Sequence, residues 1–280
     1  MVFADVTRKQ AFLTHLAISM AIFFVLLYFI IFKWYPSYYF HIDGGYRGIA
    51  TIFFVDVVLG PGLTLLVFKP GKPGLQFDLS VIIAIQMIAL SLGAWWVYSE
   101  RPVVTVFYDG EFICMKQSEA SKADLDRLVL IDKEPPLLAV LPRPNTFSEY
   151  QSMLEQALRQ SSASIYIFGD KFLPMDVVGT VQLMNYFLDV SNSLSGDDNQ
   201  ISKYRKIWAE YLENNPDQTG HYMYFPLSCR YGRVLAVIDP EISEIIDYVP
   251  VNTKRAISKI KLGFSREEIE RYKKEYIEGR

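Results

Sequence analysis

Asp56 is the side chain placed most unusually for chemistry. It stands in TIFFVDVVLGPGLTLLVF, residues 51–68, among Phe, Val and Leu, and Gly60-Pro61-Gly62 follows one turn later. An ionised group at the centre of a hydrocarbon layer costs about 2.5–3.5 kcal/mol on insertion scales, so it normally faces protein or water. Three roles are open to it: a protonated acid hydrogen-bonded inside its own helix bundle, a contact for a helix of another protein, or a step in a proton or ion path. A path needs more polar groups in line. His15 is expected near the opposite face, which leaves one acid without a chain, so helix packing is the expected role. If the segment enters a bilayer at Gly48, Asp56 lies about 12 Å deep at 1.5 Å per residue. Ser91 of the next apolar run falls at a similar depth and Gln86 roughly one to two turns deeper, so these two are the expected partners. Gly60, Pro61 and Gly62 should allow close approach and a kink, with Pro61 freeing the carbonyl of Val57.

The other reactive side chains form no motif. Cys114 and Cys229 both lie in strand-like segments. In an oxidising compartment they can close one disulfide, and the sequence leaves this and two buried thiols open. A thiol-disulfide oxidoreductase needs C-x-x-C, and position 111 is Glu. His15, His41 and His221 are scattered, without metal-ligand spacing. HIDGGYRG, residues 41–48, is glycine-rich but reads as a short loop between apolar runs rather than a phosphate cradle. No G-x-S-x-G, Walker A or H-E-x-x-H occurs. Asp197-Asp198 and Glu267-Glu268 read as solvated surface. The expectation is a non-enzymatic protein without cofactor or metal.

Three apolar runs must position Asp56, at about 11–32, 48–68 and 79–98. Each has the roughly 20 residues a membrane helix needs. The chain is 51% hydrophobic yet 21% charged, with mean hydropathy +0.15, and the two properties are segregated. Residues 1–100 hold six Lys or Arg and five Asp or Glu, and residues 101–280 hold 22 and 26. The expected organisation is therefore a three-helix transmembrane domain, 1–100, followed by a mildly acidic domain, 101–280. The acidic balance speaks against a nucleic-acid partner. Arg8, Lys9, Lys69 and Lys72 flank one membrane face, and Lys33, Arg47 and Arg101 the other. Four against three favours a cytoplasmic N-terminus, which puts residues 101–280 outside the cytoplasm, in a Gram-negative cell the periplasm.

That second domain alternates strand and helix patterns, so the fold class is an integral membrane protein with an exported α/β domain on a mixed, partly antiparallel sheet. Residues 103–116 read as a hairpin about Asp109-Gly110. Residues 137–141 and 164–168 read as strands, and 146–160, 177–190 and 201–215 as helices. Strands return from His221, turning near Tyr231-Gly232 and continuing through 243–252. Ser265 and Glu268 lead a polar tail helix, and 194–200 reads as an exposed loop.

HIDGGYRGIATIFFVDVVLGPGLTLLVFKPGKPGLQFDLSVIIAIQ, residues 41–86, and ERPVVTVFYDGEF, residues 100–112, carry a resemblance. With three spans and one exported domain, the chain resembles the TfpX/TfpZ family of type IV pilin accessory proteins. The likeness is specific in the membrane half and becomes one of layout beyond residue 120. The family is encoded beside pilin genes. The resemblance implies a bacterial inner-membrane protein that helps pilin reach or keep an assembly-competent state. Its implied partners are the major pilin and the inner-membrane assembly machinery. It supplies no catalytic residues. It singles out Asp43, Gly44, Gly45 and Arg47 in the loop between the first two spans, and Asp56, Gly60, Pro61 and Gly62 within the second. The expected pilin contact is the Asp56 face with the Gly60–Gly62 notch. The rival readings are a membrane-anchored thiol-disulfide oxidoreductase and a subunit of another envelope complex.

Overall fold

The computed structural model describes residues 6–129, 136–142, 148–149, 151–153, 155, 169–178, 180–184, 186–216 and 220–258. The chain divides into two compact units. One is Met1–Pro102 with Arg230–Gly232, and the other is Val103–Cys229 with Arg233–Arg280.

The first unit holds three helices, α1 (Arg8–Trp34), α2 (Gly45–Val67) and α3 (Leu75–Ser99), each long and apolar enough to cross a membrane. They begin three or four residues before their apolar runs, α1 at a polar side-chain cap and α2 and α3 at left-handed glycines. The Thr7 hydroxyl accepts from Gln10 N at 3.2 Å, and the Gln10 side chain accepts from Thr7 N at 2.9 Å, a reciprocal cap for α1. Gly44 and Gly74, at φ +96° and +80°, make the left-handed entries to α2 and α3. The helices are apolar on every side: Leu13, Phe24, Val25, Leu66, Phe77, Ile85 and Trp95 are all exposed. Such helices lie in a large protein core or in lipid. Both α1 and α3 pack on α2.

The second unit is built on a seven-stranded mixed sheet. Its strands are β1 (Pro102–Tyr108), β2 (Glu111–Lys116), β3 (Leu137–Val140), β4 (Leu173–Pro174), β6 (Met223–Ser228), β7 (Arg233–Asp239) and β8 (Glu244–Val249), ordered β4-β3-β1-β2-β6-β7-β8. The expected hairpin joins β1 and β2, with Asp109 and Gly110 at φ +49° and +84°. Both central residues at positive φ match a strand-compatible two-residue turn. β1 runs parallel to β3, and β2 parallel to β6 with Phe112 opposite Leu227. β6, β7 and β8 form an antiparallel meander. Val104, Val106, Met115, Leu125 and Phe172 belong to one buried cluster, and Trp208, Leu235, Val237 and Val249 to another. Phe107, Phe112 and Phe225 meet edge-on between neighbouring strands, with centroids 5.0–6.3 Å apart.

The structure corrects two local expectations. The helix expected over 177–190 is two single turns, Met175–Val178 and Val181–Met184, and then strand β5 (Tyr186–Phe187), which pairs with β9 (Ile257–Ser258). This stretch is rich in β-branched and aromatic residues, which favour extended backbone where a partner strand is present. The 194–200 loop is in part a helix start. The Asp197 side chain accepts from Gln200 N at 2.8 Å and opens α4 (Asp198–Asn214). Asp197 is thus a cap on the exposed surface. Strand 164–168, the tail helix from Ser265 and most of the 146–160 helix lie outside the described residues.

Candidate functional site

Asp56 owes its surroundings to Pro61. An uninterrupted α-helix would bond Gly60 N to the Asp56 carbonyl. Over Phe53–Leu59 the helix instead takes the wider π register, and Gly60 N donates to the Val55 carbonyl. One residue on, the Asp56 carbonyl would need Pro61, which has no N–H. With the register slipped by one, the carbonyl of Asp56 faces Pro61 and is freed. Gln86 of α3 takes it up: Gln86 Nε2 donates to the Asp56 carbonyl at 3.0 Å and to Asp56 Oδ1 at 2.5 Å. One amide thus serves one oxygen of the acid and the broken ladder beside it. Ser19 of α1 closes the node. Its hydroxyl accepts from Gln86 Nε2 at 3.2 Å and donates to Asp56 Oδ1 at 3.4 Å.

Gly60 is the glycine that this arrangement requires, since a Cβ there would overlap the Gln86 amide. Gly62 faces open space, with nothing within 4 Å of an added Cβ, so it provides no close approach. The Gly60 notch is filled from within by Gln86. Ser91, expected beside Asp56, is exposed and lines a separate depression with Ile22, Val25 and Ala94. Five positions further along α3, it has rotated off the Gln86 face. Ser19 was not foreseen, nor the bond between His15 Nδ1 and Thr64 Oγ1 at 2.6 Å. A signal existed: His15 and Ser19 are polar residues four apart, hence on one face of an otherwise apolar helix.

The node is incomplete. Asp56 is 2% exposed and Gln86 9%, and Asp56 Oδ2 and Gln86 Oε1 have no hydrogen-bond partner among the described residues. Both atoms belong to residues on the wall of a cleft of about 770 Å³ between α1 and α3, which Asp56, Thr64 and Phe68 of the α2 segment also line.

The inter-span residues meet at the other end of α2, not at Asp56. Asp43 is buried; its Oδ1 accepts from Arg230 N at 3.3 Å, and its Oδ2 lies 3.9 Å from the Arg230 guanidinium. That guanidinium also pairs with Glu100 and donates to the Glu100 carbonyl at 2.8 Å. Burial pulls Arg230 down, but the Asp43 and Glu100 carboxylates outweigh it and hold the group above its ordinary value. Gly44 lies under the Tyr231 ring, Gly45 against Tyr35 and Phe40, and Arg47 stacks 4.0 Å over Tyr231. In the other unit Cys114 and Cys229 are joined as a disulfide, Cα atoms 4.9 Å apart. The parallel register that sets Ile113 opposite Ser228 brings them together. Glu111 is 2% exposed and accepts from Arg233 at 2.9 Å and Arg255 at 2.6 Å. The residue three before Cys114 is thus a clamped structural carboxylate.

Comparison with known proteins supplies the family. A fimbrial assembly protein of Dichelobacter nodosus, serogroups C1 and C2, is 35% identical over 109 residues, covering 36% of this chain and 83% of that protein. The chain belongs to the fimbrial assembly protein family. A second fimbrial assembly protein of that organism, serogroup I, is 33% identical over 145 residues, 49% of this chain. The match spans half the length of that relative. The serogroup E1 protein is 35% identical over 109 residues, 42% of its length. No family model matches the chain, and no solved structure matches it.

Proposed function

We propose that this fimbrial assembly protein is a non-enzymatic accessory of the TfpX/TfpZ kind, which holds a type IV pilin at the inner membrane before the pilin enters the fibre. Its three helices lie in the bilayer with the N-terminus in the cytoplasm, and residues 101–280 lie in the periplasm. The observation that carries the reading is the 33–35% identity to fimbrial assembly proteins. Three helices apolar on every side support membrane insertion, and the disulfide fits an oxidising compartment. A subunit waiting for assembly must keep an apolar segment in lipid and its folded part outside. A partner for it needs helices with polar packing positions and a folded domain, and this chain has both.

The test is deletion of the gene in its native strain with complementation in trans. Loss of surface fimbriae with unchanged pilin transcript, restored by the full chain, is the expected result. Normal fimbriation after deletion refutes the reading.

A further inference from the structure

Two donors compete for the Asp56 carbonyl. In the register that α2 adopts, Gly60 N donates to the Val55 carbonyl, and Gln86 Nε2 reaches the Asp56 carbonyl from α3 at 3.0 Å. In an unbroken α register Gly60 N would take the Asp56 carbonyl itself, and the Gln86 amide would lose that acceptor. A π turn inside an α-helix is rare, and a side chain inserted into the backbone ladder is one of the few causes of such a break. Gln86 is that side chain. It also donates to Asp56 Oδ1 at 2.5 Å, and it stands where a Cβ of Gly60 would lie.

The two registers differ in phase. A π turn takes up one extra residue, so a return to the α register turns Gly45–Ile52 by about 100° against Gly60–Val67. The C-terminal half is tied to α1 by the bond between Thr64 and His15 at 2.6 Å. Each position in the N-terminal half then passes to the next residue, Phe53 coming to the place of Ile52 and Ile49 to that of Gly48. Ile52 is buried, its Cγ1 3.8 Å from where a Cβ on Gly93 of α3 would lie. Phe53 is 41% exposed and meets Phe23 of α1 edge-on, centroids 5.3 Å apart. At Gly48, Val97 of α3 already stands 2.6 Å from an added Cβ, so Ile49 fits there only if the two helices part at that end.

From this geometry we infer that α2 is a two-register helix, and that the Gln86 amide is the positioning group that holds it in the π register. With the amide in place, Ile52 and Gly48 lie against α3. With the amide withdrawn, Gly60 N takes the Asp56 carbonyl, α2 winds to the α register, and Phe53 and Ile49 turn toward α3. The switch links the middle of the bundle to the inter-span loop, because Gly45 and Arg47 are among the first residues of the half that turns. Gly60 and Gly48 are the small residues that the π register needs, one to admit the amide and one to admit Val97.

The test is disulfide trapping in the full chain, in membranes of its native strain. Cys114 and Cys229 are bonded to each other and stay unchanged. Two introduced pairs are compared after mild oxidation, with the joined peptides quantified by mass: Ile52→Cys with Gly93→Cys for the π register, and Phe53→Cys with Gly93→Cys for the α register. The parent should trap mainly the first pair. Gln86→Met, of similar length but without the donor, should lower the ratio of Ile52 to Phe53 trapping about 10-fold or more, since each of the two lost bonds is worth roughly 3-fold or more between membrane helices. Gly60→Ala displaces the amide without altering it and should do the same. Gly62→Ala, whose methyl meets nothing, should leave the ratio unchanged. Loss of Ile52 trapping without a gain at Phe53 means a merely loosened bundle and overturns the inference. So does a ratio within about 2-fold of the parent in Gln86→Met and Gly60→Ala, less than one such bond supplies, or a parent that traps both pairs equally. The two variants reach the amide from different helices, so if one fails to accumulate the other decides.

Discussion

Gly60→Ala and Gly62→Ala are the same chemical change two residues apart, and the structure predicts opposite results. Both remove the entropic cost of a helical glycine, worth up to about 1 kcal/mol to the variant. At Gly62 nothing lies within 4 Å of the new methyl, so only that gain remains. At Gly60 the methyl overlaps the Gln86 amide and drives it from both of its Asp56 acceptors. Hydrogen bonds between membrane helices are worth about 0.6 kcal/mol on average and about 1.7 at most, so two lost bonds cost about 1–3 kcal/mol. The assay is thermal stability of the detergent-extracted full chain, read as the temperature at which half remains monodisperse. Gly60→Ala should melt about 3–10 °C below Gly62→Ala, which should match or slightly exceed the parent. In a Gln86→Ala background the obstacle is gone, and Gly60→Ala should cost nothing further, a coupling that the double-mutant cycle reads directly. Equal melting of the two single variants, or additivity in the cycle, refutes the account of Gly60 as the seat of the Gln86 amide.

Two further predictions concern the sheet unit. Cys114→Ser, Cys229→Ser removes a crosslink across 115 residues, worth about 5 kcal/mol in the chain-entropy model, and should lower the urea midpoint of near-ultraviolet circular dichroism to that of the reduced parent. Burial, reinforced by Asp247, pushes the Tyr211 phenol above its ordinary value of 10. The unfolded chain therefore ionises this tyrosine first, so its contribution is fully present below pH 10 and is lost as pH rises beyond that value. Tyr211→Phe should flatten the alkaline arm of the stability profile, and an unchanged slope above pH 10 would remove Tyr211 as its cause.

The three helices were legible because a run of about 20 apolar residues carries its own signal, and so were Asp56 and Gln86, which interrupt such runs. The register slip was not. Pro61 alone points to Val57, and only the π turn over Phe53–Leu59 brings the Asp56 carbonyl opposite it as well. Ser91 was misjudged because depth along a helix was estimated without rotation about it. Arg230 illustrates a different limit. It sits in a hairpin turn of a soluble-looking segment and partners Asp43, 187 residues away. No local pattern encodes that distance. The Asp109-Gly110 hairpin was readable from the turn residues themselves, whereas the β5–β9 pair overrode the helical pattern of 177–190 through partners far along the chain.

A node built only to hold three helices together would have a simpler design. Apolar residues at positions 56 and 86 would pack without desolvation cost, and a buried polar network stabilises only when every member is satisfied. Here Gln86 satisfies the carbonyl that Pro61 strands and one oxygen of Asp56, and Ser19 adds to the same oxygen. The groups that could have completed the set are close in sequence but employed elsewhere, since Thr64 pairs with His15. Half the node is thus committed to the fold, while Asp56 Oδ2 and Gln86 Oε1 are enclosed without a hydrogen-bond partner among the described residues. The structural role belongs to Gly60, Pro61 and the Gln86 amide nitrogen. Variants at Gly60 should therefore act on the stability of the chain.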